Sequence, residues 1–262
     1  MRGLEIRILD LGCLATVGEE LVAGMGNEPF SSPVSAVLIR HPEKGYILYD
    51  TGNDEEWRNT YPEAAKKVFP VARFVKITDA LRKEGVAPDD INTLVLSHLH
   101  FDHTGGLRYF QGTKAAKNVI VSEAELRDAL YRVHLPSDGM DGAYSRKLFC
   151  GLNGVGFRPI SGRMQIAEDV MLFEQQSHTA GVLGMEIELE EKGTMIFTGD
   201  TVYTKSSYEN LLPPGGDLNT STKAFRTNID RLRKEQKEKN ATVIFGHDPD
   251  QMKEWSGKGW IH

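Results

Sequence analysis

The stretch Ser97-His98-Leu99-His100-Phe101-Asp102-His103-Thr104-Gly105-Gly106 restricts what this chain can fold into more than any other. It follows directly on Asn92-Thr93-Leu94-Val95-Leu96, an apolar run with β-branched residues that reads as a buried strand. Three histidines and one aspartate within six positions are therefore delivered to a single strand end. If the extended geometry persists past Ser97, His98, His100 and Asp102 project to one side with a period of two, and His103 turns in from the loop. Imidazole nitrogen and carboxylate oxygen are the donors taken by Zn²⁺ and similar divalent cations. Gly105 and Gly106 let the backbone pass close to a metal or to the sheet. A solvated loop, or hydrogen-bonded core histidines, would leave this packing of ligand types unexplained, so the stretch reads as a metal site.

The rest of the chain is compatible with such a site in a globular protein. Its 262 residues can bury a full core, and no linker-like composition divides them, so residues 1–262 read as a single domain. Apolar content is 40% and charged content 26%, with no apolar run of membrane-spanning length. The net charge of −6 argues against a nucleic-acid partner, and the basic run at 231–239 alternates with Glu235 and Glu238 like a solvated helix face. Met1-Arg2-Gly3-Leu4-Glu5 lacks the apolar core of a signal peptide. Cys13 and Cys150 are too few for a disulfide framework, and a cytoplasmic location is the expectation.

In order along the chain, residues 4–11 alternate apolar and charged side chains as a half-exposed strand does. Residues 12–33 are rich in Gly and Pro and read as a long loop offering Met25 and Phe30 as apolar contacts. Runs 34–40 and 46–49 read as a hairpin across His41-Pro42-Glu43-Lys44-Gly45, ending in Asp50-Thr51-Gly52. Asp50 by itself suggests a loop cap. Residues 72–84 have helical periodicity and stop at Gly85. After a short strand at 118–121, Ser122-Glu123-Ala124-Glu125 reads as a capping box opening a helix to about His134.

Residues 135–163 are irregular and Gly-rich yet carry Met140, Tyr144, Leu148, Phe149, Leu152 and Phe157, which suit either a pocket lid or a loop anchor. Strands at 170–174, 184–189 and 194–198 follow, then an amphipathic helix at 222–239 stopped by Asn240, and a last strand at 242–245. The order β-rich half, helix, β-rich half, helix suggests an internal duplication.

Four strand ends thus deliver metal-ligand types: the 98–103 cluster, His178, Asp200 and His247. Five of the eight histidines lie in these positions, and seven ligands suit two metals rather than one. His-x-His-x-Asp-His, then a lone His, a Gly-Asp and a Gly-His, is the signature of the metallo-β-lactamase superfamily. Asp50-Thr51-Gly52 fits that superfamily's first structural motif. Gly199-Asp200-Thr201-Val202-Tyr203-Thr204-Lys205 and Phe245-Gly246-His247-Asp248 are similar to segments of its N-acyl-homoserine lactonase branch. The final basic helix, and the closeness of His247 to the end of the chain, resemble that branch too. At the third motif the chain departs from it: Gln176-Ser177-His178-Thr179-Ala180-Gly181-Val182 keeps the ligand but lacks the usual prolines and second histidine.

The resemblance implies an α/β, four-layer αββα sandwich of two mixed sheets flanked by helices. It implies two divalent ions, zinc in expectation: His98, His100 and His178 on the first, Asp102, His103 and His247 on the second, and Asp200 bridging. It also implies hydrolysis of a lactone ester by a metal-bridging hydroxide, with N-acyl-homoserine lactones, the substrates of quorum quenching, as the leading class. In that scheme Tyr203 hydrogen-bonds the carbonyl, Asp102 protonates the leaving alkoxide, and Phe101 lies against the acyl chain. The partner expected is a small molecule, without nucleic acid or membrane, and monomer and homodimer are both open. Two alternatives fit less well. A glyoxalase II type thioester hydrolase would need a helical extension, whereas fifteen residues follow His247. A non-catalytic metal-binding domain would not need Tyr203.

Overall fold

The computed structural model describes residues 3–262; Met1 and Arg2, which open the stretch read above for a signal peptide, lie outside it. Fourteen strands are described: β1 Glu5–Val17, β2 Pro29–His41, β3 Gly45–Tyr49, β4 Val71–Phe74, β5 Ile91–Val95, β6 Val119–Ser122, β7 Met140–Asp141, β8 Tyr144–Ser145, β9 Phe157–Ile160, β10 Arg163–Ala167, β11 Val170–Gln175, β12 Val182–Leu189, β13 Gly193–Phe197 and β14 Thr242–Ile244. They form a seven-stranded sheet in the order β4-β1-β2-β3-β5-β6-β9, a five-stranded sheet β10-β11-β12-β13-β14, and the small hairpin β7-β8. Both large sheets are mixed.

Three apolar clusters define the layers. Along β2 and β3, Val37, Ile39, Ile47 and Tyr49 join Leu183, Met185, Ile187, Met195 and Phe197 from the other sheet. The alternate residues Ala36, Leu38 and Leu48 face the opposite way and pack with Ile77, Leu81, Ala129 and Val133. These last four come from helices Ile77–Lys83 and Glu123–His134. On the far side, Ile196 and Val243 meet Phe225, Ile229 and Leu232 of helix Thr222–Lys239. The period of two sends alternate residues to opposite faces, so each central strand is apolar on both, as strands covered on both sides are. The result is helix, sheet, sheet, helix, as the resemblance implies. The pairing antiparallel, antiparallel, parallel occurs in β1-β2-β3-β5 and again in β11-β12-β13-β14, in keeping with a duplicated element order.

Several local readings need correction. Residues 12–33 are not one long loop: β1 runs on to Val17, and Cys13 to Val17 pair with Pro33 to Pro29 of β2. A bulge hides this in the sequence, because the register shifts between Asp10 and Cys13, and Gly12 adopts a left-handed φ of 109°. The strand then exchanges its faces and the alternation breaks. Residues 72–84 are not one helix either. Val71–Phe74 adds to the sheet edge beside Gly12–Leu14, and the helix begins at Ile77. Backbone pairing at an open edge outweighs a helical period there. Residues 135–163 hold the β7-β8 hairpin, a helical turn Arg146–Phe149 and β9. Leu148 and Phe149 anchor this segment in the core, while Tyr144 faces a cavity.

Gly105 and Gly106 owe their identity to a neighbouring loop. His103 O accepts from Thr51 N at 2.9 Å, and Gly52 O accepts from Gly106 N at 3.2 Å. A Cβ on Gly105 would lie 2.2 Å from Asp54 N, and one on Gly106 2.3 Å from Thr51 O. Gly106→Ala should therefore lower stability by about 1–3 kcal/mol or more, read as a shift of the urea midpoint. An unchanged midpoint would show that the two segments can separate without cost.

Candidate metal centre

All four ligand-bearing strand ends, the carboxyl ends of β5, β11, β13 and β14, meet at one edge of the sandwich. His98, His100, Asp102, His103, His178, Asp200 and His247 are all buried. One expectation fails locally: the chain does not stay extended through Asp102. It enters a helical turn at Phe101–Thr104, closed by Thr104 N and Oγ1 on His100 O, so Asp102 and His103 come from that turn. The seven side chains still converge. Their donor atoms form three overlapping groups, His98/His100/His178, His98/His103/Asp200 and Asp102/His103/His247.

The spacing within these groups fits a cation. His178 Nε2 lies 3.2 Å from His98 Nε2 and 2.9 Å from His100 Nδ1. His247 Nε2 lies 3.1 Å from Asp200 Oδ2, and His103 Nε2 lies 3.4 Å from Asp200 Oδ1 and 3.7 Å from Asp102 Oδ2. Two nitrogens bound to one tetrahedral Zn²⁺ would stand about 3.3 Å apart.

The outward ring nitrogens are committed elsewhere. His178 Nδ1 donates to Leu218 O at 3.0 Å, His247 Nδ1 to Pro33 O at 2.7 Å, and His103 Nδ1 to Asp50 Oδ2 at 2.8 Å. With these three rings neutral, each inner nitrogen presents a lone pair to the shared space, which is how metal-ligating histidines are oriented. His103 Nε2 and Asp200 Oδ1 are buried without a hydrogen-bond partner. Buried lone pairs facing one another without donors are unfavourable until a cation fills the space between them.

Electrostatics separates the two ends of the site. Burial and neighbouring imidazoles hold His98 and His100 well below the usual histidine range, and burial brings His178 to about 4. Burial would also lower His103 and His247, but the Asp200 and Asp102 carboxylates raise both. Burial raises Asp102. It opposes the shift of Asp200, which His247, His103 and His98 nevertheless hold well below the carboxylate range.

Asp50 is the residue whose role the sequence conceals. It sits just after β3 with φ of 66°, accepts from Ser97 N at 2.7 Å and Ser97 Oγ at 2.8 Å, and takes the proton of His103. The signal was the Asp-Thr-Gly at a strand end, but nothing local shows that its target lies 53 residues on.

A cavity of about 160 Å³ opens beside His100 and His178, walled by Ala64, Val68, Phe69, Phe101, Ala143 and Tyr144 among others. A smaller one, about 30 Å³, runs on to Asp102, Asp200, Tyr203 and His247, with Leu14, Leu21 and Ser32 in its wall. Residues 12–33 and 135–163 both contribute, as does the wall at Ala64–Phe69, which no sequence pattern flagged. Tyr203 is buried against Leu21 and Val22, with Met25, Phe30 and Leu218 packed on that group, and its hydroxyl lies 3.0 Å from His178 Nδ1. No helix among the described residues is long and apolar enough to cross a membrane.

Comparison with known proteins agrees with this geometry. The family model of the metallo-beta-lactamase superfamily matches residues 31–247. An N-acyl homoserine lactonase of a Bacillus species is 30% identical over 227 residues, covering 84% of this chain and 82% of the relative. N-acyl homoserine lactonase AiiB of Agrobacterium fabrum is 29% identical over 272 residues, covering 95% of each. A structure of an N-acyl homoserine lactone hydrolase, with the product N-hexanoyl-L-homoserine bound at its catalytic metal centre, superposes with a TM-score of 0.79 at 25% identity, covering 97% of each chain.

If Asp50 orients His103, Asp50→Ala should weaken divalent-metal binding about 10- to 100-fold, measured by chelator competition on the zinc-loaded protein. Unchanged affinity would show that His103 is held without it.

Proposed function

The chain belongs to the metallo-beta-lactamase superfamily and is a metal-dependent hydrolase, and from that premise we propose that it opens the ester ring of a lactone, with N-acyl homoserine lactones or a related small lactone as substrate. The observation that carries the reading is the convergence of seven buried ligands, five of which (His100, Asp102, His178, Asp200 and His247) line one pair of adjoining cavities together with Tyr203. Under it His98, His100 and His178 would hold one metal, Asp102, His103 and His247 a second, and Asp200 would serve both. Zinc suits the nitrogen and oxygen donors. Residues 1–262 act as one hydrolase domain, since both sheets supply ligands.

When bound, two such ions supply a water that ionises near neutral pH and an electrophilic contact for the ester carbonyl. The remaining tasks fall to side chains. The single proton on His178 Nδ1 is given to Leu218 O, so Tyr203 keeps its own hydroxyl hydrogen for a carbonyl oxygen gaining negative charge. Burial, with Asp200 and Asp102 close by, pushes the phenol well above its usual range and keeps it a donor. Asp102, buried beside the same cavity, would take up the proton that the attacking water gives up and pass it to the leaving alkoxide. Phe101 packs on Tyr61 with ring centroids 4.4 Å apart and lines the larger cavity, where an acyl chain would lie against Ala64, Val68 and Phe69.

Elemental analysis after gentle purification should give about two transition-metal equivalents per chain, and a pH-indicator assay should show turnover of lactones ahead of thioesters and β-lactams. One equivalent with full activity would remove the bridging role of Asp200, and a preference for thioesters would overturn the lactone reading.

Tyr203→Phe should lower kcat roughly ten- to a thousandfold with KM and metal content little changed. Because the folded protein raises the phenol's pKa, the donor persists well above neutrality, so the ratio of wild-type to Phe kcat should stay constant from about pH 6 to 10. A ratio that falls within that range would mean the phenol ionises there, and wild-type kcat in the variant would remove Tyr203 from the mechanism.

A further inference from the structure

The helix Glu123–His134 begins with only half of the capping box its sequence promises. Ser122 Oγ accepts from Glu125 N at 3.2 Å, but the Glu125 carboxylate does not return to the Ser122 backbone. It turns away from the helix end and is fully buried. Its Oε1 accepts from Leu99 N at 2.9 Å and from the Tyr144 hydroxyl at 3.0 Å. Leu99 is the residue between His98 and His100. Tyr144 places its ring against His100, with centroids 4.5 Å apart and planes at 70°. Thr179, next to His178, lies near enough to the carboxyl to lower its pKa, while Oε2 is buried without a hydrogen-bond partner. One buried carboxyl thus bonds the backbone between two histidines and the ring packed on one of them, and lies beside the neighbour of the third.

We infer that Glu125 is a positioning residue for the His98/His100/His178 triad, setting the affinity of the first metal and the alignment of His100. The inference rests on the metal-centre reading above. A capping glutamate at the surface would contribute a few tenths of a kcal/mol and remain solvated; a buried carboxyl needs partners, and those present are the ligand-bearing loop at Leu99 and the Tyr144 ring packed on His100. Burial raises its pKa to about 7, against the lowering effect of Thr179, Leu99 N and the Tyr144 hydroxyl, so desolvation is the larger influence on it. The arrangement matches the outer hydrogen bonds that orient metal ligands elsewhere, here delivered to the loop backbone and to a stacked ring instead of to an imidazole nitrogen.

The test is chelator competition on the zinc-loaded protein, together with the visible spectrum of the Co²⁺-substituted form. Wild type, His98→Ala, Glu125→Ala and Glu125→Gln are compared. Glu125→Ala should lose about 10- to 100-fold in affinity at one of the two sites, the same one that His98→Ala abolishes, and shift the Co²⁺ bands. Glu125→Gln, whose amide oxygen can still accept from Leu99 N, should recover most of the loss. Glu125→Ala should lower kcat on a small lactone more than it changes KM.

Wild-type affinity and spectrum in Glu125→Ala would overturn the inference. So would a change confined to KM, which would mean that Glu125 acts only through Tyr144 as a cavity wall, and so would a loss that Gln does not repair. Should Glu125→Ala fail to fold, Glu125→Asp decides: it keeps the charge but retreats from Leu99 N, and an unchanged first-site affinity overturns the inference. A wild type that binds no metal sinks the metal-centre reading itself, which is a different result.

Discussion

A carboxylate in the interior has to be surrounded by donors, and the arrangement around Asp50 meets that requirement in a way that shapes the whole site. Its left-handed backbone turns the chain sharply at the end of β3, so that both oxygens face the end of β5. Ser97 supplies two donors and His103 a third. This ties two parallel strands together at their carboxyl ends and fixes which ring nitrogen of His103 looks inward. Nearby, Thr51 and Gly52 pair with the backbone of residues 103–106, where glycine alone leaves room. A metal centre assembled from separate segments needs a rigid rim, and this is where the first sheet supplies it.

The layers explain why the site is at that edge. Each sheet is apolar on both faces, so neither face can host a polar cluster without giving up packing. Polar ligands are therefore confined to strand ends, and the parallel pairs β3-β5 and β13-β14 bring several ends to the same side. The cost is the burial of two carboxylates and five imidazoles together. The outward nitrogens of His103, His178 and His247 are paired with backbone carbonyls or a carboxylate, and inside the site His103 Nε2 and Asp200 Oδ1 are left without partners. Divalent-cation binding removes that frustration, so the fold and the chemistry call for the same ion.

Much of this was legible from local patterns. The hairpin 34–49, the strand before His98 and the helix Thr222–Lys239 with its Asn240 stop emerge where periodicity and caps put them, because each depends on neighbours a few residues away. The candidate metal-binding residues were legible for a different reason: their residue types are rarely gathered for anything else. The misreadings share a cause. The continuation of β1 past Gly12, the edge strand Val71–Phe74 and the helical turn at Phe101 are all decided by partners distant in sequence. A capping box at 122–125 is a local pattern, and a distant backbone amide at Leu99 captured half of it.

By itself the sequence determined which side chains could bind metal, that they stand at strand ends, and that two sheets would bury the apolar runs between them. Residue type and short-range spacing carry that information, since ligand chemistry and side-chain alternation are local properties. Only the tertiary structure decided that Asp50 orients His103, that Leu218 and Pro33 hold the outer nitrogens of His178 and His247, and that Ala64 to Phe69 wall the cavity. Those are contacts across tens to hundreds of residues, made with backbone carbonyls or small side chains that carry no signature of their own. Their identity follows from where the packed layers place the chain, and no pattern within a segment encodes that.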